Sequence, residues 1–223
     1  MTSKLFLQAL IKFAAGLIIV SLLVFLPAGT LNFPNGLLFI GVLFIPMFFA
    51  GIFMMLRTPA LLEKRLNAKE TRSEQKTVIL LSGVMFVAAF VAAGLNFRFR
   101  WIVLPFWTAL AASAVFLAAY VMFAEVMREN AYLSRTIEVS EGQKVVDTGL
   151  YGIVRHPMYS STLFLFLSMG FVLGSVISFA ILLFYIPIIS RRIKDEERAL
   201  EEGLPGYKEY KSKVKYKVIP FIW

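Results

Sequence analysis

The chain has 223 residues, 59% hydrophobic and 17% charged, a balance too apolar for an ordinary soluble domain. Its formal net charge of +9 fits basic loops held at one membrane face better than a nucleic-acid surface. It has no cysteine, which excludes disulfides, thiolate metal sites and a cysteine nucleophile.

A run of about 18 or more apolar residues can cross a hydrocarbon core of roughly 30 Å as a helix. Four such runs follow in order: Leu5–Pro27, Gly36–Leu56, Thr77–Phe97 and Ile102–Val126. The first does not read as a signal peptide, because it is long and leads within a few residues into the second. The second and third are separated by the polar stretch 57–76, whose mixed charges suit a surface helix or loop. The third and fourth are joined by a short turn holding Arg98, Arg100 and Trp101, the last suited to anchor at headgroup level. Lys4, Lys12, Arg57, Lys64, Arg65, Lys69, Arg72 and Lys76 fall on one side of these runs, as do the Lys and Arg that follow Val126. This bias predicts a cytoplasmic N-terminus, a cytoplasmic 57–76 loop and a cytoplasmic region after Val126.

The last apolar stretch, Pro157 to Ser190, is 34 residues long. One straight helix would be about 50 Å, well beyond the bilayer core. It would also export a tail holding Arg191, Arg192, Lys194, Arg198 and five further lysines. Gly170, Gly174 and Ser175 sit at its midpoint, where a turn or a close backbone approach is feasible. The expected fold is therefore all-α: four spanning helices, then a C-terminal helical hairpin and a cytoplasmic tail. Residues 1–126 form the membrane helices and 127–223 the catalytic region. The alternative for 157–190 is one tilted, kinked helix.

Two polar segments flank the hairpin, 142–159 and 191–210. Charged groups near a bilayer usually mark partners or a site. Pro157 suits the first turn of a helix, which puts His156 at its start, where free backbone N–H groups can hold an anion. His156 is the chain's single histidine, so a zinc site has too few ligands. A lone histidine is more often structural than functional. Arg192 and Glu196 lie four apart, sharing a helix face, and Arg192 stands where the apolar run ends. Their bland reading is a surface ion pair worth well under about 1 kcal/mol.

Gly149-Leu150-Tyr151, Arg155-His156-Pro157-Met158-Tyr159, the long apolar stretch, Glu196-Glu197 with Leu200, then Tyr207, Tyr210 and Ile219-Pro220 resemble the isoprenylcysteine carboxyl methyltransferase family. The resemblance covers roughly 115–223. The wider superfamily includes phospholipid N-methyltransferases and NADPH-dependent sterol and steroid reductases. It implies a cytoplasm-facing pocket for S-adenosyl-L-methionine, built by the linker before the hairpin and the segment after it. By matching positions, cofactor contacts fall on Gln143, Lys144, Val145, Val146, Tyr151, His156, Pro157, Met158, Tyr159 and Glu196. Arg192 matches the arginine that meets a substrate carboxylate. The family often has a glutamine shortly before the Gln143 region, where this chain has Val139 and Ser140.

The residue types agree with that chemistry. A carboxylate is ionised at neutral pH and can attack a sulfonium methyl without a general base. What remains is placement in a dry, charged pocket, with Arg192 holding the carboxylate by a fork of hydrogen bonds. The acceptor is then a lipophilic small molecule or prenylated group entering from the membrane lipid, with no metal and no nucleic acid involved. The alternatives are a reductase of the same superfamily, which commonly has Asn where Met158 stands, and a transporter or adaptor without catalysis. The scarcity of titratable residues in the first four runs argues against an ion-coupled pathway.

Overall fold

In a computed structural model, the regular elements are helical throughout, and the structure describes residues 3–67, 73–130, 132, 139 and 142–223. The four apolar runs become α1 (Ser3–Ala28), α2 (Pro34–Arg57), α4 (Ser73–Phe99) and α5 (Phe106–Glu129). Between α2 and α4 lies the short α3 (Pro59–Asn67). Lys12 on α1 donates to the Leu66 carbonyl, so α3 folds back beside the start of the chain. The helix start expected at Thr77 lies four residues earlier, because Ser73 to Lys76 continue the helix beyond its apolar part. Residues 102–105 are not helical, and the helix expected from Ile102 begins at Phe106 behind Pro105.

The last apolar stretch is a hairpin. Helix α6 (Pro157–Val172) runs inward, a tight turn reverses the chain, and α7 (Val176–Leu182) and α8 (Tyr185–Gly203) run back. Gly174 takes a φ of +69°, a left-handed conformation that favours glycine. A Cβ on Gly170 would lie 2.5 Å from the Phe179 backbone nitrogen, so only hydrogen there lets the two limbs close. Ser175 caps α7 by accepting from the Ser178 N–H. The count of spans differs by one from the expected four. Among the described residues, five helices are long and apolar enough to cross, the fifth being the returning limb Val176–Gly203, while α6 at 16 residues is shorter.

Lipid offers apolar side chains no reason to leave it, so helices in a bilayer associate through close packing and polar ties. Both occur here. Phe33 stacks on Phe97 at 4.2 Å, and Phe39 contacts Phe90 and Phe116. One core runs from Val24 and Phe39 through Phe116 and Leu163 to Ile189 and Val218, joining the first four helices to the hairpin. The hairpin tip is tied by two asparagines. Asn35 donates to the Val172 carbonyl at 3.1 Å, and Asn96 donates to the Gly174 and Ile102 carbonyls. These ties place the tip level with the α1–α2 and α4–α5 connections. The start of α6 and the polar half of α8 therefore lie at the other end, with the basic loops.

Helix α9 (Tyr207–Lys213) and an irregular tail complete the chain. The outward faces of the long helices carry exposed Leu22, Leu26, Phe49, Phe53, Leu80 and Val121, a surface suited to acyl chains rather than water.

Candidate active site

Helix α8 is amphipathic, and its buried stripe is Tyr185, Ile189, Ile193 and Glu197. The stripe thus ends in a carboxylate, and Glu197 is only 5% exposed. A buried carboxylate needs partners, and this one has three cationic side chains and an imidazole around it. Arg155 Nε donates to Oε1 at 2.8 Å, and His156 Nε2 lies 3.3 Å from the same oxygen. Lys211 and Lys217 each lie 3.5 Å from Oε2. Burial alone would raise the pKa of Glu197. The hydrogen bonds from His156 and Arg155, and their charges, outweigh it and hold the carboxyl far below its usual range.

Arg155 also fixes the tail. Its Nη1 donates to the Val214 and Lys215 carbonyls at 2.7 and 2.8 Å. The Arg155 and His156 amides donate to Tyr216 and Lys217, and Ser160 Oγ donates to Val218. The amides of Arg155, His156 and Tyr159 all have carbonyl acceptors within the protein.

A second set begins one turn along α6. The Tyr159 hydroxyl accepts from Arg192 Nε at 2.8 Å and donates to Glu196 Oε2 at 2.6 Å. A phenol carries one hydrogen, so these two bonds fix its direction. Arg192 Nη1 donates to Gln75 Oε1 at 3.0 Å, and Gln75 Nε2 donates to Asp195 Oδ2 at 2.9 Å. Gln75 comes from α4 and is fully buried. Arg192 and Glu196 thus share a helix face, as their spacing requires, and a tyrosine from the facing helix joins them.

The linker lies beside the tail. Val145 and Val139 pack on a small apolar cluster of Leu200, Leu204, Tyr207, Tyr210 and Val214. Gln143 and Val146 are half-buried and Lys144 is exposed. Ser140 falls outside the described residues. Tyr151 is buried in a short 3-10 turn (Gly149–Gly152), where its hydroxyl accepts from Asn130 and its carbonyl accepts from Tyr210. Burial pushes its hydroxyl up to about 12. Leu150 N–H donates to Glu129 Oε2, and a Cβ at Gly149 would overlap that carboxylate, which explains glycine there. Pro157 opens α6 and is buried, and Met158 rests half-buried against the core.

Beside Gln75 and Arg192 runs an apolar groove of about 470 Å³ between α4 and the returning limb. Val78, Leu81, Met85, Ile181, Phe184 and Ile188 line it, with Arg191 at its edge. Thr77 and Arg191 give the groove its polar lining, and Gln75 and Arg192 lie one helical turn from its Val78 and Ile188.

The structure therefore brings Tyr159, Arg192 and Glu196 together and commits the His156 ring to Glu197. Sequence reasoning missed the roles of Glu197, Arg155, Gln75 and Asp195. Adjacent helical positions point about 100° apart, so Glu196 and Glu197 had to serve different partners, a signal that was available. Nothing along the chain marks Gln75, whose partner is 117 positions away.

Residues 107–202, from α5 through most of α8, match the model of the Isoprenylcysteine carboxyl methyltransferase family. The family resemblance carried by the motifs is thus shown over that stretch. A Delta(14)-sterol reductase of Mus musculus is 29% identical over 91 residues, 40% of this chain. The match spans 22% of that protein's length, so about a fifth of the relative is represented.

Proposed function

We propose that this chain, whose residues 107–202 carry the isoprenylcysteine carboxyl methyltransferase pattern, is an S-adenosyl-L-methionine-dependent methyltransferase. It acts on the carboxylate of an isoprenylcysteine-like or other lipophilic acceptor. The observation that supports this best is the Tyr159 hydroxyl held between Arg192 and Glu196, one helical turn along α8 from an apolar groove. One group suits an anion, one suits a cation, and the groove suits a lipid tail.

The residues present fit the cofactor by their chemistry. Glu196 is half-buried and offers a carboxylate to a positive group. Val145 and the tail cluster bring the linker and the segment after the hairpin side by side, the two parts that would share the cofactor. Gln143 to Val146, Tyr151 and His156 to Tyr159 would complete its surroundings. S-adenosyl-L-methionine supplies a methyl group on a sulfonium. An acceptor oxygen takes that methyl as the carbon–sulfur bond breaks, giving an ester and a neutral thioether, so no proton must move. The protein's work is placement. Arg192 holds the acceptor carboxylate, and its charge would also reduce the oxygen's nucleophilicity, so its role is orientation. Residues 127–223 carry this chemistry and 1–126 supply the scaffold, with the basic end facing the cytoplasm.

The reductase similarity favours a second reading, in which the same region binds NADPH and reduces a sterol-like substrate. Met158 stands where such enzymes commonly have Asn. Titrating purified protein with S-adenosylhomocysteine and with NADPH separates the two. Saturable binding of S-adenosylhomocysteine alone is expected. Binding of NADPH alone would replace the methyltransferase with the reductase.

A further inference from the structure

Past Ser190, α8 sorts its side chains by face. The stripe of Tyr185, Ile189, Ile193 and Glu197 is buried, whereas Arg191, Lys194 and Arg198 are exposed. At about 100° per residue these three cations share one face, roughly opposite the buried stripe. Among the described residues, no hydrogen bond or ion pair engages any of the three side chains. They border an open hollow of about 810 Å³. The end of that hollow nearer the hairpin turn is apolar, formed by Ile186 and Pro187, with Ser190 between the two parts. Asp195 also borders it, but its carboxylate already accepts from the Gln75 amide at 2.9 Å. The border therefore keeps an excess of positive charge.

The place of the hollow decides what fits it. Exposed Leu183 and Phe184 continue its apolar end onto the lipid-facing surface. The cations begin where the apolar run ends, which places them in the headgroup layer. Long cationic side chains reach that layer with their stems on apolar surface and their charges outward. The bias of Lys and Arg toward the cytoplasm accounts for their number. It does not account for three of them bordering one hollow with an apolar end. A soluble anion answers the charge and leaves Ile186 and Pro187 unmatched. A phospholipid answers both.

We propose that this face of α8 binds an anionic phospholipid. Its phosphate lies among Arg191, Lys194 and Arg198, and the start of an acyl chain lies over Ile186 and Pro187. The site is distinct from the acceptor site and does not depend on the methyltransferase reading. Pro187 and Arg191 also border the groove beside α4, so they form the wall between groove and hollow. Arg192 and Glu196 turn the other way, toward Tyr159. The lipid thus pins, at the membrane surface, the helix that carries them.

The test uses the full chain purified in detergent and mixed with phosphatidylglycerol and phosphatidylcholine of matched chains. Native mass spectrometry measures the lipid retained. Attraction of an anionic lipid is worth about fivefold per cation near a membrane surface. Wild type should therefore retain phosphatidylglycerol about tenfold or more over phosphatidylcholine. Arg191→Gln with Lys194→Gln and Arg198→Gln should abolish that preference. A second triple variant, Lys208→Gln with Lys213→Gln and Lys215→Gln, removes three exposed cations of the tail. It should keep the preference, because the same charge is lost from another place.

A wild type without the preference, or equal loss in both triple variants, overturns the site. The second result reduces the effect to diffuse charge. Glycerol phosphate carries the anion without the chains, and it should not displace the lipid at equal concentration. Displacement would replace the phospholipid with a soluble anion and overturn the assignment. Where the α8 triple variant does not fold, Lys194→Gln with Arg198→Gln should lower the preference about fivefold or more. An unchanged preference in that variant overturns the proposal equally.

Discussion

Two carboxylates next to each other in the chain do different work. Glu197 lies under the tail and is bonded to Arg155 and His156, whereas Glu196 faces the Tyr159 hydroxyl. Replacing Glu197 with Gln leaves Arg155 and two lysines facing a neutral group. Breaking a buried pair in this way costs about 3 kcal/mol. The pH dependence follows from the same contacts. The folded-state pKa of Glu197 is depressed, so its contribution is fully present above the ordinary carboxyl value of 4.5. It is lost as pH falls from there through the depressed value. Melting temperatures in detergent from neutral to acid pH should drop below that point in wild type and drop less in Glu197→Gln. Equal slopes would show that Glu197 is not the group responsible.

Arg192 and Glu196 provide the test of divided roles. Arg192→Ala should retain S-adenosylhomocysteine affinity within about twofold while turnover falls about a hundredfold, the usual cost of a lost orienting charged hydrogen bond. Arg192→Lys should recover only part of the rate, since an ammonium keeps the charge but not the fork. Glu196→Gln should weaken the cofactor instead. A surface ion pair predicts small, similar and salt-sensitive effects for both. The pairing of Arg192 with Glu196 on one face was legible from their spacing. Their junction through Tyr159 was not, because α6 and α8 meet only after the hairpin closes.

At the scale of elements, the hairpin is the decisive feature, and it was legible because 34 apolar residues exceed one crossing and carry two glycines and a serine at the midpoint. The beginning of α4 was less so. Charged residues from Lys69 to Lys76 interrupt the apolar pattern and read as a surface helix or loop apart from the crossing helix, yet α4 continues into water from Ser73 before its apolar part begins. That extension is what carries Gln75 to Arg192. Gly170→Leu should force α6 and α7 apart, since even a Cβ would meet the Phe179 backbone at 2.5 Å. Overpacking of this kind costs about 1–3 kcal/mol. The expected result is a lower melting temperature together with loss of S-adenosylhomocysteine binding, because Tyr159 and Glu196 sit on opposite limbs. A variant with wild-type stability and binding would mean that the limbs need not close there.

Over the whole molecule, the chemistry gathers at one end and the polar ties of the hairpin tip at the other. Asn35 and Asn96 hold that tip against the first four helices, so those helices set how deep the hairpin sits. The chain has no cysteine, which suits labelling of single introduced ones. Cysteines at the exposed positions Glu63 and Lys213 should react from the cytoplasmic side only. Position 213 labelled from the outside alone would reverse the orientation inferred from Lys and Arg.

In the proposed reaction a carboxylate held at Arg192 receives a methyl group. The direct measurement is transfer of labelled methyl from S-adenosyl-L-methionine to a prenylcysteine analogue by the purified protein in lipid. The product should be a methyl ester, recognised by release of labelled methanol in base, and its formation should fall about a hundredfold in Arg192→Ala. Base-stable label on the acceptor, or no label alongside substrate-dependent oxidation of NADPH, would contradict it.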